Sequence, residues 1–244
     1  VNFMEEFNIF QGTQAVLFDF DNTLVDFEAN SRKALESVAQ DIQNFLQDTG
    51  VSSLPLAYLK EKLLVISSKL DSEGVYDRNV WWSELMKELG VQSVDKEQLY
   101  EWTSLYWSIA GQNTPFEDAL DIVEYLKKKG YKLGLVTNSD GEGGDKRSRI
   151  SKFPYLDKFN LIIIGGENNV KPKPSLQPFI FACEELKVPK ESCVMVGDDP
   201  VKDCLAAKRA GLKSILVDRK GAVKFPELYA DFVVNSLKEL EEFL

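Results

Sequence analysis

The hydrophobic pattern divides the chain into two regimes. The first apolar run, Ala15 to Phe18, is short and continuous and stops at Asp19-Phe20-Asp21-Asn22-Thr23, which reads as a buried strand ending in a polar turn. From Ala34 the period changes. Ala34, Leu35, Val38, Ala39, Ile42, Phe45 and Leu46 line one helix face, and Gly50 ends it. Leu56, Leu59, Leu63, Ile66 and Leu70, at alternating steps of three and four, predict a second helix. A third runs from Val80 through Trp82, Leu85 and Leu89 to Gly90, and a fourth from Asp95 through Leu99, Trp102, Leu105 and Ile109 to Gly111. Amphipathic helices in sequence, joined by short polar loops, predict a helical bundle.

After Pro115 helix and strand alternate. Glu117 to Lys129 is helical, with Lys127, Lys128 and Lys129 in its last turn and Gly130 just beyond, as the helix dipole favours. Apolar strand runs follow at Lys132–Thr137, Leu161–Ile164, Cys193–Gly197, Ser214–Val217 and Asp231–Val234. Helical stretches lie between them at Gln177–Leu186 and Val201–Ala210, the latter closed by Gly211. Near-continuous apolar strands between helices predict an α/β class with a parallel, Rossmann-like sheet covered on both faces. Residues 1–25 and 112–244 form that core, and residues 26–111 form a helical bundle inserted after the first strand. Ligands of open parallel sheets sit at the carboxyl ends of the strands, where such an insertion is placed to act as a lid.

Composition narrows the chemistry. Histidine is absent from all 244 residues, which removes Ser-His-Asp and Cys-His hydrolases and any imidazole base or metal ligand. The formal charge of −10 argues against nucleic acid or an anionic membrane as the main partner. Cys183, Cys193 and Cys204 lie outside any CxxC pattern and read as small core residues in a reducing compartment. Val1 to Phe10 contains Glu5 and Glu6 and no basic residue, unlike a signal peptide, and no apolar run is long enough to span a membrane. A soluble cytoplasmic protein is the expectation.

Polar clusters close several strands. Asp19 and Asp21 alternate, so both meet one ligand only if the chain turns after Asp19. A calcium loop is excluded because Leu24 stands at its glycine position and Asn30 at its bidentate glutamate position. Thr137-Asn138-Ser139 offers a hydroxyl and backbone N–H groups, or ordinary turn chemistry. Asp198, Asp199 and Asp203 crowd three carboxylates into Gly197-Asp198-Asp199-Pro200-Val201-Lys202-Asp203. Unless solvated they call for a cation, and oxygen ligands suit Mg²⁺. Lys171-Pro172-Lys173-Pro174 presents lysine from a stiff backbone, with either lysine eligible.

In this order the four elements resemble the haloacid dehalogenase-like (HAD) superfamily of phosphohydrolases. Asp19-Phe20-Asp21-Asn22-Thr23 matches its DxDxT motif, Thr137 its second motif, the KPKP segment its third and GDDPVKD its fourth. The inserted bundle resembles the family's helical C1 cap. The resemblance implies a phosphatase acting on a small phosphorylated metabolite, with Asp19 the nucleophile that forms an aspartyl-phosphate and Asp21 the general acid and base. It implies Mg²⁺ held by Asp19, Asp198 and the Asp21 carbonyl with support from Asp199 or Asp203. Thr137, Asn138 and a lysine would bind the phosphoryl group, Lys173 being preferred to Lys171 on spacing, and Thr23 would fix the Asp21 loop. A phosphomutase of the same fold and a non-catalytic phosphate-responsive module are the alternatives. Trp81, Trp82, Trp102, Tyr106 and Trp107 read as bundle packing rather than specificity residues, and Lys146, Arg147 and Arg149 as a solvated loop.

Overall fold

A computed structural model describes residues 8–51 and 53–244. Val1–Phe7, with the acidic pair Glu5 and Glu6, lie outside the described residues. The chain divides into two compact units, one of residues 1–26, 115–138 and 150–244 and one of residues 27–114 and 139–149.

The first unit is built on a six-stranded, all-parallel sheet. Its strands are β1 (Ala15–Phe18), β2 (Lys132–Asn138), β3 (Leu161–Gly165), β4 (Cys193–Gly197), β5 (Lys213–Val217) and β6 (Phe232–Val234), in the order β3-β2-β1-β4-β5-β6. The order reverses at β1, which makes the carboxyl ends of β1 and its neighbours the topological switch point where such sheets bind ligands. Phe18 pairs with Leu135 of β2 and Val196 of β4, so the residues that follow these three strands emerge together.

Alternation within each strand sorts the core. Val16, Phe18, Leu133, Leu135, Val194, Val196, Ile215 and Val217 face the helix that follows the inserted segment, which buries Ala119, Ile122, Val123 and Leu126. Ala15, Leu17, Val136, Cys193 and Met195 face the opposite layer, where Phe179, Ala182, Cys183 and Leu186 come from the helix before β4 and Ala206 and Ala207 from the one before β5. Both faces of the sheet are thus buried, as the continuous apolar runs require.

The second unit holds the helices α1 (Phe27–Asp48), α2 (Leu56–Ser72), α3 (Arg78–Glu88) and α4 (Lys96–Ala110); α5 (Glu117–Lys128) is the sheet-unit helix already described. Ala34, Val38, Ile42 and Leu46 of α1 pack with Leu59 and Leu63 of α2, Trp82 and Leu85 of α3, and Trp102 and Tyr106 of α4. The aromatics therefore pack the helical core: Trp81, Trp82, Trp102 and Tyr106 are buried, and Trp107 is partly buried against the cluster. α1 begins seven residues before its first periodic apolar position. Its opening turn is anchored instead by the Asn30 side chain, which donates to the Gln112 carbonyl and to Thr114.

Ser139–Arg149, counted with the sheet in the sequence reading, clusters with the helices. The glycines explain why: a Cβ on Gly141 would meet the Tyr76 backbone at 2.6 Å, and one on Gly144 the Trp107 ring at 2.9 Å. Arg78 fastens the segment, donating from Nη1 to the Tyr76 and Asp140 carbonyls and stacking on the Trp81 and Trp107 rings. The basic residues beyond are not all solvated. Lys146 and Arg149 are buried and both bind the Asp140 carboxylate, at 3.2 and 2.8 Å, in the short helix α6 (Lys146–Ser151) and its approach; only Arg147 keeps to the surface. Among the described residues no helix is long and apolar enough to cross a membrane.

Candidate active site

β1 ends with Phe18 buried, and the next residue, Asp19, still donates its backbone N–H to the Val196 carbonyl of β4. The chain then turns. Phe20 is fully buried in the sheet's apolar layer, its carbonyl accepts from Thr23, Leu24 and Val25, and Asn22 adopts a left-handed backbone at φ 64°. Asn tolerates that conformation better than most residues. Half-buried Asp19 and Asp21 thereby flank a core anchor in a turn rather than alternating along a strand.

At the end of β4 a second turn supplies carboxylates. The expected helix from Val201 begins instead as a π-helical turn, Pro200–Leu205, which runs into the short α-helix α8 (Ala206–Arg209). Such wide turns concentrate at functional sites because they re-aim side chains. Asp199 caps this one, its Oδ1 accepting from the Val201 and Lys202 backbone N–H groups at 2.9 and 2.8 Å. Asp203 points back toward the strand, accepts from the Asp199 N–H, and occupies the space where a side chain on Gly197 would stand. The glycine is required there for close approach.

Lys173 enters this acidic cluster from the loop after β3. It is 4% exposed, and its Nζ donates to Asp203 Oδ1 at 2.6 Å, to the Val136 carbonyl at 2.8 Å and to Asp19 Oδ1 at 3.0 Å. Lys171 is exposed at the surface and takes no part; its backbone N–H donates to the Gln177 side chain. The lysine is positioned by Asn138, which donates to the Lys173 carbonyl at 3.0 Å and accepts from the Lys173 N–H at 2.8 Å. The Asn138 side chain thus holds the lysine loop rather than facing a ligand. Gly165 makes room for it, since a Cβ there would lie 2.8 Å from Asn138 Oδ1 and 2.6 Å from Pro172. Thr137, the preceding residue on β2, is buried.

Asp198 completes the cluster. Carboxylate oxygens of Asp19, Asp198 and Asp203 lie within 4.8 Å of one another, and the Thr23 hydroxyl donates to Asp198 at 3.2 Å. Thr23 therefore steadies Asp198 as well as its own turn. Burial, then the neighbouring Asp19 and Asp203 carboxylates, push the Asp198 carboxyl well above the usual carboxylate range. Burial alone would lower Lys173, but Asp19 and Asp203 hold its ammonium above the usual lysine value. Three carboxylates facing one ammonium leave a formal charge of −2 in a site mostly withdrawn from water. A hard divalent cation fits that donor set, all of it oxygen, and would relieve the repulsion.

One supporting residue carried no sequence signal. Arg219, after β5, forms a bidentate pair with Asp118 at 2.9 and 2.9 Å and donates to the Thr23 carbonyl at 3.0 Å while stacking on Phe116 at 3.7 Å. It ties the turn after β1 to the start of α5. Nothing in a strand-end arginine announces such a role, because its partners lie about 100 and 196 residues away.

Comparison with known proteins agrees with this geometry. A family model described as haloacid dehalogenase-like hydrolase matches residues 13–211. The N-acylneuraminate-9-phosphatase of Rattus norvegicus is 28% identical over 235 residues, covering 95% of this chain and 93% of that protein. The glyceraldehyde 3-phosphate phosphatase of Pyrococcus furiosus is also 28% identical, covering 95% and 92%. Among solved structures, a HAD phosphatase from Thermococcus onnurineus superposes with a TM-score of 0.66 at 27% identity, covering 94% of this chain and 97% of that one.

Proposed function

The chain belongs to the haloacid dehalogenase-like hydrolases, and on that premise we propose that it is a Mg²⁺-dependent phosphatase that cleaves a small phosphomonoester through an aspartyl-phosphate on Asp19. The observation that carries the reading is the meeting of Asp19, Asp198, Asp203 and Lys173 at the carboxyl ends of β1 and β4. Phosphatase relatives, named for an N-acylneuraminate 9-phosphate and for glyceraldehyde 3-phosphate, support a phosphorylated metabolite as substrate.

In the first step an Asp19 carboxylate oxygen attacks phosphorus, a P–O bond to Asp19 forms, and the P–O bond to the alcohol breaks. Asp21 gives its proton to the departing alkoxide. In the second step Asp21 takes a proton from water, whose oxygen attacks the same phosphorus and returns Asp19 as a carboxylate. Two carboxylates thus run nucleophilic and acid–base steps without histidine. Lys173 orients Asp19 and offsets charge, while Thr137 and the Asn138 N–H bind phosphoryl oxygens. Asp19, Asp198 and the Asp21 carbonyl would hold Mg²⁺, with Asp203 beside them and Asp199 shaping the turn. When bound, the ion supplies charge neutralisation that lets an acidic site accept a dianion. Residues 26–111 serve as the helical C1 cap in this reading. The free, buried thiols support a reducing, cytoplasmic setting.

The test is hydrolysis of p-nitrophenyl phosphate by purified protein with and without MgCl₂. Activity should require the metal, vanish in Asp19→Asn and fall by roughly 100-fold or more in Asp21→Asn. Full activity of Asp19→Asn would overturn the mechanism, and a screen of phosphorylated metabolites then identifies the leaving group.

A further inference from the structure

Cys183 lies in the second half of the helix α7 (Gln177–Leu186), and Cys193 is the first residue of β4. Their sulfurs are 3.1 Å apart. Both side chains are buried, at 3% and 0% exposure, in the apolar layer that also holds Ala15, Ala182, Leu186 and Met195. We propose that Cys183 and Cys193 form a redox modification site, in which a peroxide converts the thiol pair into a disulfide that staples α7 to β4 and a thiol reductant reopens it.

The geometry needs little change. A disulfide requires sulfurs about 2.05 Å apart, so closure moves them together by about 1 Å. The connecting segment turns tightly, through left-handed Lys187 at φ 56° and a helical turn at Lys190–Ser192, and it already holds the two residues side by side. Cys204 is not a competitor, because it lies in a separate apolar cluster and its Sγ contacts the Gly197 carbonyl.

Reactivity follows an order. The hydrogen bond between the two sulfurs lowers the Cys183 thiol and raises Cys193, so the pair loses its first proton at Cys183. The Cys183 thiolate attacks one oxygen of hydrogen peroxide; the O–O bond breaks, leaving a sulfenic acid and, after one proton is taken up, water. The Cys193 sulfur then attacks the Cys183 sulfur. The S–S bond forms, the S–O bond breaks, and hydroxide leaves with the Cys193 proton as a second water. Two thiols are oxidised by two electrons and one peroxide is reduced to two waters.

The staple joins two segments that lead to the active site without touching it. Lys173 lies four residues before α7 and Asp198 directly after β4, whereas Cys193 stands at the opposite end of β4. Oxidation should therefore stabilise the sheet unit and leave catalysis unchanged.

The experiment treats the whole protein with hydrogen peroxide and reads intact mass, peptide linkage, thermal unfolding and p-nitrophenyl phosphate turnover. The expected result is a loss of about 2 Da, a Cys183–Cys193 peptide with Cys204 still alkylatable, and a rise in unfolding temperature of roughly 5–10 °C. Dithiothreitol reverses all three, and turnover stays within about twofold. Cys183→Ala and Cys193→Ala lose the mass change and the temperature shift, while Cys204→Ala keeps both. A link to Cys204, oxygen addition at Cys183 without a link, or a link with no rise in unfolding temperature would overturn the proposal. Because mass and unfolding are read independently of turnover, it stands or falls separately from the phosphatase mechanism.

Discussion

Two lysines share the Lys171-Pro172-Lys173-Pro174 segment, and only one of them enters the acidic cluster. Lys173 Nζ has three acceptors, Asp203, Val136 O and Asp19, all within 3.0 Å, and almost no solvent. Removing the ammonium in Lys173→Met leaves the buried Asp203 carboxylate and the half-buried Asp19 carboxylate with no countercharge. Breaking a buried pair in this way costs about 3–5 kcal/mol. Urea unfolding should show that loss, and phosphatase turnover should fall by at least about 100-fold. Lys171→Met, on an exposed side chain, should stay within about 0.5 kcal/mol of the parent and keep its turnover. Equal losses in both variants would remove Lys173 from the site. The choice between the lysines was only a preference in the sequence, because spacing fixes the loop and not which side chain turns inward. What turns Lys173 inward is the Asn138 side chain, bonded to both its N–H and its carbonyl, and that pairing bridges 35 residues.

At the scale of elements, strand and helix positions follow from periodicity wherever burial is one-sided or complete. β4 and α7 fall where their apolar runs predict, and α2 starts at the predicted Leu56. The departures are local and have causes. The segment after β4 reads as helix from Val201, yet Asp199 capping and the return of Asp203 toward Gly197 open it into a π turn. The Gly141–Gly144 stretch carries no periodicity at all, and its place is set by steric room against Tyr76 and Trp107. Arg78 is the element-scale clamp for that stretch. It is 2% exposed, donates to two carbonyls and to Tyr106, and its Nε has no partner among the described residues. Arg78→Met should destabilise the helical unit by on the order of 3 kcal/mol. All four tryptophans lie in that unit, so tryptophan fluorescence follows its unfolding alone. The fluorescence midpoint in urea should drop in Arg78→Met, and an unchanged midpoint would show the clamp to be dispensable.

At the scale of the whole molecule, a chain of net charge −10 concentrates three of its carboxylates at one sheet end. The first and fourth motifs made that concentration legible, because each acid stands within a few residues of a strand end; the Arg219 brace was not, since it depends only on tertiary contact. The concentration has a signed consequence. Burial and neighbouring charge raise the Asp198 carboxyl, so the folded, metal-free protein keeps a proton there that the unfolded chain has already released above its ordinary value of about 4. A group raised on folding contributes stability at low pH and loses it as pH climbs through its folded value. Mg²⁺ acts in the opposite sense, because it binds the ionised carboxylates and competes with that proton. MgCl₂ near 100 times its dissociation constant should add about 2.7 kcal/mol, or roughly 5–10 °C in unfolding temperature, at pH 8. The increment should shrink at pH 5.5, below the Asp203 carboxyl that burial and the Asp19 carboxylate push up to about 7. Asp198→Asn removes one titrating carboxyl and a metal ligand together, so the metal increment should collapse at both pH values even though Asp203 remains. Thermal scans at the two pH values, with and without MgCl₂, measure this directly. An increment equal at both pH values would mean that the acidic cluster binds the cation without giving up a proton.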